Sequence, residues 1–277
     1  MIGITFALIA AASWGTGDFL GGLASRKLSH FQVLFVMAFS SLVLLFVCMI
    51  IWLEQIPTID NLILAMIAGV SGALGSALLY KGLSLGDAAL VAPVAGVIGA
   101  IIPTLVGLWL EGFPSSMKLI GFGLAFIGIW LVTRTKNGNG QHVRLGLGLA
   151  LLAGIGFGGF LVIIAQVEGK QIFAPLVFSK LAAVALAIGL MKSRQLSIPK
   201  LLASPIAILS GVFDAGGNIF YLFAAQFTRL DIAALLSSLY PAGTVLLSNL
   251  VLKEKLSVQQ RLGVGTCLAA IMLIMSG

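Results

Sequence analysis

The sequence predicts an all-α polytopic membrane protein: ten transmembrane helices, built as two five-helix repeats of inverted topology. Three observations carry this. Of 277 residues, 60% are apolar and 9% charged, whereas soluble domains carry roughly 25% charged residues. Apolar stretches long enough to cross a bilayer recur along the whole chain, and the mean hydropathy is +1.14. The two halves also repeat each other's pattern in a steady register.

A crossing helix needs about 20 mostly apolar residues. The first candidate, 2–24, opens on MIGITFALIAAASWG. It has no basic leader and another apolar stretch follows at once, so it reads as a span and not a cleaved signal. The second, 31–53, contains VLFVMAFSSLVLLFVCMIIWL. Barrel strands would be about ten residues long and alternate in polarity; this run does neither, so helices are predicted throughout. The third and fourth, 61–83 and 87–110, meet at a Gly86-Asp87 turn. The fifth, 115–133, follows Pro114, and the polar stretch RTKNGNGQHVR (134–144) separates it from the sixth, 145–166. The seventh and eighth, 172–191 and 201–224, flank Pro199. The ninth, 231–252, has Asp231 at its first turn, where a carboxylate suits a helix N-terminus. The tenth is 258–276. Pro57, Pro114 and Pro199 fall in connections; Pro93, Pro103, Pro175, Pro205 and Pro241 fall within spans, where each is expected to kink its helix.

The repeat is weak but keeps its register. A shift of 141 lays WGTGDF (14–19) on IGFGGF (155–160), and 142 lays GVSGALGS (69–76) on GVFDAGGN (211–218). A shift of 144 lays GDAAL (86–90) on LDIAA (230–234), and 142 lays LIGFG (119–123) on RLGVG (261–265). The units are then 1–133 and 145–277, joined by 134–144. Five crossings are an odd number, so the second half enters the membrane from the opposite side, as in many secondary transporters.

Basic residues set the orientation. The odd-numbered connections and their flanks hold twelve: Arg26, Lys27, Lys81, Arg134, Lys136, Arg144, Lys192, Arg194, Lys200, Lys253, Lys255 and Arg261. The other side holds three, Lys118, Lys170 and Arg229. This places the odd-numbered connections in the cytoplasm and both termini outside.

Several chemistries find no support. The net charge of +7 comes from residues between apolar runs, so it reads as topology and lipid head-group contact, not nucleic-acid binding. Cys48 and Cys267 sit in apolar segments without metal-ligand spacing. GIGFGG (154–159) lies inside an apolar span and not after a strand, so it is no nucleotide loop. His30 and His142 are the only histidines, and both fall in polar connections. No cofactor is predicted. Glu54, Glu111, Glu168 and Glu254 lie at connections and read as solvated or head-group residues.

SWGTGDF (13–19), GLSLGDAALVAP (82–93) and LYPAGTVLLSNLVLKEKLSVQQRLGVG (239–265) resemble the drug/metabolite transporter superfamily, in its ten-helix branch with two EamA domains. The resemblance covers essentially the whole chain. Pro241, Glu254 and Gly263 match the most specific pattern. In the first half Glu111 is present, but its proline partner would fall at Ile98 and its glycine comes late, at Gly121. The resemblance implies a secondary transporter, leaves the cargo open, and favours a cavity position for Trp14. It also implies cytoplasmic termini, the reverse of the charge count.

Only Asp18, Lys180 and Asp214 carry charge deep inside spans. A charge at the bilayer centre costs at least about 2.5–3.5 kcal/mol, so each is expected to face the bundle interior. Asp214, Asn218 and Tyr221 follow at i, i+4 and i+7, on one helix face. Trp14, Tyr221 and Tyr240 are further candidates to touch a solute. Gly159 stands at the place of Asp18 in the repeat and Gly72 at that of Asp214, so these charges are not part of the duplicated scaffold. The function expected is transport of a small solute across the cytoplasmic membrane by alternating access, with one aspartate coupling to a proton or ion and Lys180 binding an anionic group of the solute or tuning that aspartate. The other reading of Lys180 and an aspartate is a buried pair that only orders helices. The alternatives are an intramembrane lipid-modifying enzyme and a scaffold that transports nothing.

Overall fold

The computed structural model describes residues 1–84, 88–133, 140–169, 171–199, 204–253 and 257–276. Every regular element among them is a helix: α1 (Ile2–Ala24), α2 (His30–Ile51), α3 (Ile59–Ser84), α4 (Ala88–Glu111), α5 (Ser116–Thr133), α6 (Gly140–Ala165), α7 (Phe173–Ser193), α8 (Pro205–Phe227), α9 (Leu230–Ser237), α10 (Tyr240–Leu252) and α11 (Val258–Ser276). Seven of these are long and apolar enough to cross a membrane. Two more, in α5 and α11, hold shorter apolar stretches, Ser116–Leu131 and Val258–Ile274. The tenth crossing is α9 with α10, together about 34 Å long at 1.5 Å per residue. Outward faces carry large apolar side chains such as Phe46, Ile50, Leu105 and Leu250, as lipid requires.

The ninth span corrects the sequence expectation. It is two helices, with Ser238 and Leu239 between them. Pro241 follows in the first turn of α10, where the missing N–H costs nothing because no partner exists for it there. Pro205 is likewise not a mid-helix kink but the opening residue of α8, with Ser204 at the N-cap position. Span eight therefore runs later than expected. The helix α6 reaches back to Gly140, into the stretch read as a connection. The Gly86-Asp87 turn, Glu254 and residues 134–139 lie outside the described residues.

Local chemistry starts two helices on one side of the bundle. Ser29 Oγ accepts from Gln32 N at 3.3 Å, and Gln32 Oε1 accepts from Ser29 N at 3.1 Å, at the head of α2. Ser257 and Gln260 do the same for α11, at 3.2 and 2.9 Å. Each box satisfies two backbone donors that the helix leaves unpaired.

The duplication is visible in packing. The helix α1 lies along α8 as α6 lies along α3; α3 meets α7 as α8 meets α2; α2 pairs with α7 and α5 with α11. That is the pattern produced by a two-fold exchange of the halves. Single residues obey it. A Cβ on Gly69 would stand 2.0 Å from the Ser179 carbonyl oxygen, and one on Gly211 would stand 2.3 Å from that of Met37. Gly69 and Gly211, like Met37 and Ser179, are 142 positions apart. The ends of α2 and α7 also match. Leu53 and Gln195 adopt positive φ, 52° and 53°. Glu54 N donates back to Met49 O at 3.1 Å, and Leu196 N to the equivalent Met191 O at 3.0 Å. Leucine and glutamine disfavour that backbone, so inherited helix-end geometry, not residue type, accounts for it.

Candidate functional site

Call the side carrying the α1–α2, α3–α4, α5–α6, α7–α8 and α10–α11 connections the basic side, and the other the terminal side. On the terminal side, polar groups stitch the halves together. Glu54 Oε1 accepts from Ile172 N at 2.9 Å and Oε2 from Ala174 N at 2.7 Å, placing a carboxylate on the N-terminus of α7. Asn61 and the Glu168 backbone bond reciprocally at 3.0 and 3.1 Å. Glu111 Oε1 accepts from Leu230 N at 2.8 Å, at the N-terminus of α9. Arg229 donates to the Glu111 and Gly112 carbonyls at the end of α4 and pairs with Asp231 at 2.8 Å. Glu54 and Glu111 are therefore not merely solvated, as expected from their positions; each caps a helix of the opposite half.

Between the halves lies a cavity of roughly 1010 Å³, open mouth included. Trp14, Gly17 and Asp18 of α1 line it, with Leu34 and Met37 of α2 and Gly72, Ser76 and Leu79 of α3. Further lining comes from Gly96 of α4, Phe157 and Phe160 of α6, Lys180 of α7, Asp214 and Asn218 of α8, and Ser238 and Tyr240 at the α9–α10 break. Leu34 and Gly96 sit early in α2 and α4, and Leu79 sits late in α3, so the cavity extends toward the basic side.

Two of the expected charges meet. Lys180 Nζ lies 2.6 Å from Asp214 Oδ2. That oxygen has no well-aligned hydrogen bond, so the contact is charge attraction off the favoured bonding direction. Asn218 Nδ2 supports the other oxygen, Oδ1, at 3.2 Å, one helical turn along. The pair is largely buried, with side-chain exposures of 11% and 17%. Asp18 is on the neighbouring helix: Gly17 packs on the backbone of Ser210 and Asp214. The two carboxylates repel one another, and among the described residues Asp18 has no ion pair.

The remaining candidates divide. Trp14 lines the cavity, its indole set against Gly217, where a Cβ would clash with the ring. Tyr240 lines it at the helix break, near Gly96. Tyr221 does not. It is fully buried behind the wall, its hydroxyl donating to the Leu161 carbonyl at 2.7 Å and its ring 5.8 Å from that of Trp14. Sequence reasoning did not single out Ser76, Phe157, Phe160 or Ser238. Their signal is diluted because such residues are common in apolar spans. Among the described residues, no group of three His, Cys, Asp or Glu side chains is placed to hold a metal.

Comparison with known proteins fits this architecture. A solved crystal structure superposes over 98% of this chain and 95% of its own, at a TM-score of 0.77 and 14% identity, and shares the fold. An uncharacterized protein of Methanocaldococcus jannaschii is 33% identical over 134 residues, which are 47% of this chain but 95% of that protein. That relative is thus about one half-unit long. The model of the EamA-like transporter family matches twice, over residues 1–134 and 144–276, so this multi-pass membrane protein belongs to that family.

Proposed function

We propose that the protein is a secondary transporter of the cytoplasmic membrane, carrying a small solute by alternating access with coupling to protons. One observation carries the reading. A cavity between two inverted halves holds a buried ion pair beside a carboxylate that has no ion pair among the described residues. Buried ionisable groups within a membrane mark solute paths and proton relays, and inverted halves exchange shapes around a central site. The conformation here is stitched shut on the terminal side and reaches toward the basic side.

With the basic connections in the cytoplasm, this is an inward-facing state and both termini are external. A reporter fused after Gly277, active only in the cytoplasm, should be silent; activity there reverses the assignment.

Coupling is tested in proteoliposomes carrying wild-type protein, Asp18→Asn or Asp214→Asn, each checked for equal incorporation. Solute-driven proton flux should fall to background in at least one variant. If both keep wild-type transport and its pH dependence, neither aspartate couples, and the Lys180–Asp214 pair only orders helices.

A further inference from the structure

We infer that the cargo is a monovalent organic cation with an apolar body, and that Asp18 is its counter-charge. This rests on the transport reading above and adds the class of solute. Among the described residues that line it, the cavity carries three charges, Asp18, Lys180 and Asp214. Lys180 and Asp214 are matched at 2.6 Å, with Asn218 Nδ2 on the second carboxylate oxygen. An anionic group would have to draw the ammonium away from a carboxylate already at contact. A zwitterion would have to do the same with its negative end. Asp18 has no such partner among the described residues, so the cavity presents one unmatched negative charge.

The walls complete the description. They are mainly apolar and include the rings of Trp14, Phe157, Phe160 and Tyr240, with Trp14 one helical turn from Asp18 on α1. Aromatic faces attract cations, more strongly where water is excluded. A bare metal ion is a poor fit, because hard cations need about six oxygen ligands and the Asp214 carboxylate is already engaged. An ammonium on an aromatic or aliphatic body uses both the carboxylate and the rings.

A proton and an ammonium compete for the same carboxylate. The groups facing Asp18 are Asp214 from α8 and Tyr240 from α10, with Lys180 of α7 behind Asp214. From α2 come Leu34, Met37 and Ala38, and Ser238 closes α9, so neither adds charge at this level. Asp231, at the far end of α9, is held by Arg229. Protonating Asp18 removes the counter-charge, so cation affinity should fall as pH falls.

The test uses the purified full-length protein and four probes that share a phenyl ring: phenethylamine, phenethyl alcohol, phenylacetate and phenylalanine. Binding is read by calorimetric titration and by the rise in melting temperature. Phenethylamine should bind best, more weakly at lower pH. Asp18→Asn should weaken it by about tenfold or more, as expected for losing a charged hydrogen bond, while Asp18→Glu retains binding. Preference for phenylacetate or phenylalanine, or binding of none of the four, overturns the cation class without needing any variant. Equal affinity in Asp18→Asn overturns the role of Asp18. Phenethylamine that binds through Asp18 but drives no counterflow in proteoliposomes removes the transport reading and leaves the site. Counterflow of phenylacetate does the opposite.

Discussion

Gly69→Leu should leave almost no folded protein in the membrane. The Ser179 carbonyl oxygen stands 2.0 Å from where a Cβ would sit, and the Ser179 Cα is 2.8 Å away. The obstacle is backbone, so no side chain can swing aside. Relief requires α3 and α7 to separate, which dismantles a contact between the halves. Forcing extra methylenes into a packed site costs about 1–3 kcal/mol when neighbours can adjust, and here they cannot. A loss of at least about 3 kcal/mol is expected. Gly211→Leu should match it, because Ser40 Oγ and the Met37 carbonyl oxygen stand 2.0 and 2.3 Å away at the equivalent joint. Gly123→Leu is the control: nothing lies within 4 Å of its Cβ position. Detergent extraction followed by size-exclusion and thermal unfolding checks all three. Normal yield for Gly69→Leu would show that the close approach of α3 and α7 does not exist.

The second large effect belongs to Lys180→Met. Removing one partner of a buried ion pair leaves the other charged and unpaired, a loss of about 3–5 kcal/mol. The lower end applies here, because Asn218 still donates to Asp214 and the pair retains slight exposure. The double variant Lys180→Met with Asp214→Leu removes both charges, and should recover much of the stability. What it should not recover is proton-coupled flux. If the double variant transports like wild type, the pair is a structural device and Asp18 alone carries the chemistry.

Some of this architecture was legible in the residues, and the reasons differ by element. The bounds of α1 and α11 coincide with their apolar runs because polar residues end those runs abruptly. Pro205 was ambiguous: proline inside an apolar run marks either a kink or a helix start, and only the backbone decides. The break at Ser238 and Leu239 is invisible to hydropathy, because SSLYPAG stays compatible with a span. The caps divide along the same line. Ser29 and Gln32 are three residues apart, so their box is a local signal. Glu54 and Glu111 cap helices more than a hundred residues away, and no local pattern announces that.

The site shows the same limit. The cost of a lone charge in lipid brings Lys180, Asp214 and Asp18 to the interior from sequence alone, but not who pairs with whom. Helical periodicity put Tyr221 on the face of Asp214 and Asn218. It could not show what stands in front: Trp14 and Leu161 line the cavity, and Tyr221 lies behind them, its hydroxyl donating to the Leu161 carbonyl.

The broken ninth span has a consequence for energetics. Two identical inverted halves would make the inward and outward states equal in energy by symmetry, each half populated. Pro241 stands where the first half has Ile98, and α4 runs unbroken through that position while its counterpart is cut into α9 and α10. The degeneracy is therefore lifted by the chain itself. Under the alternating access proposed above, a bias of about 1.4 kcal/mol already sets a tenfold excess of one orientation, so halves that differ at this break, as they do at Asp18 and Asp214, give the empty protein a resting direction.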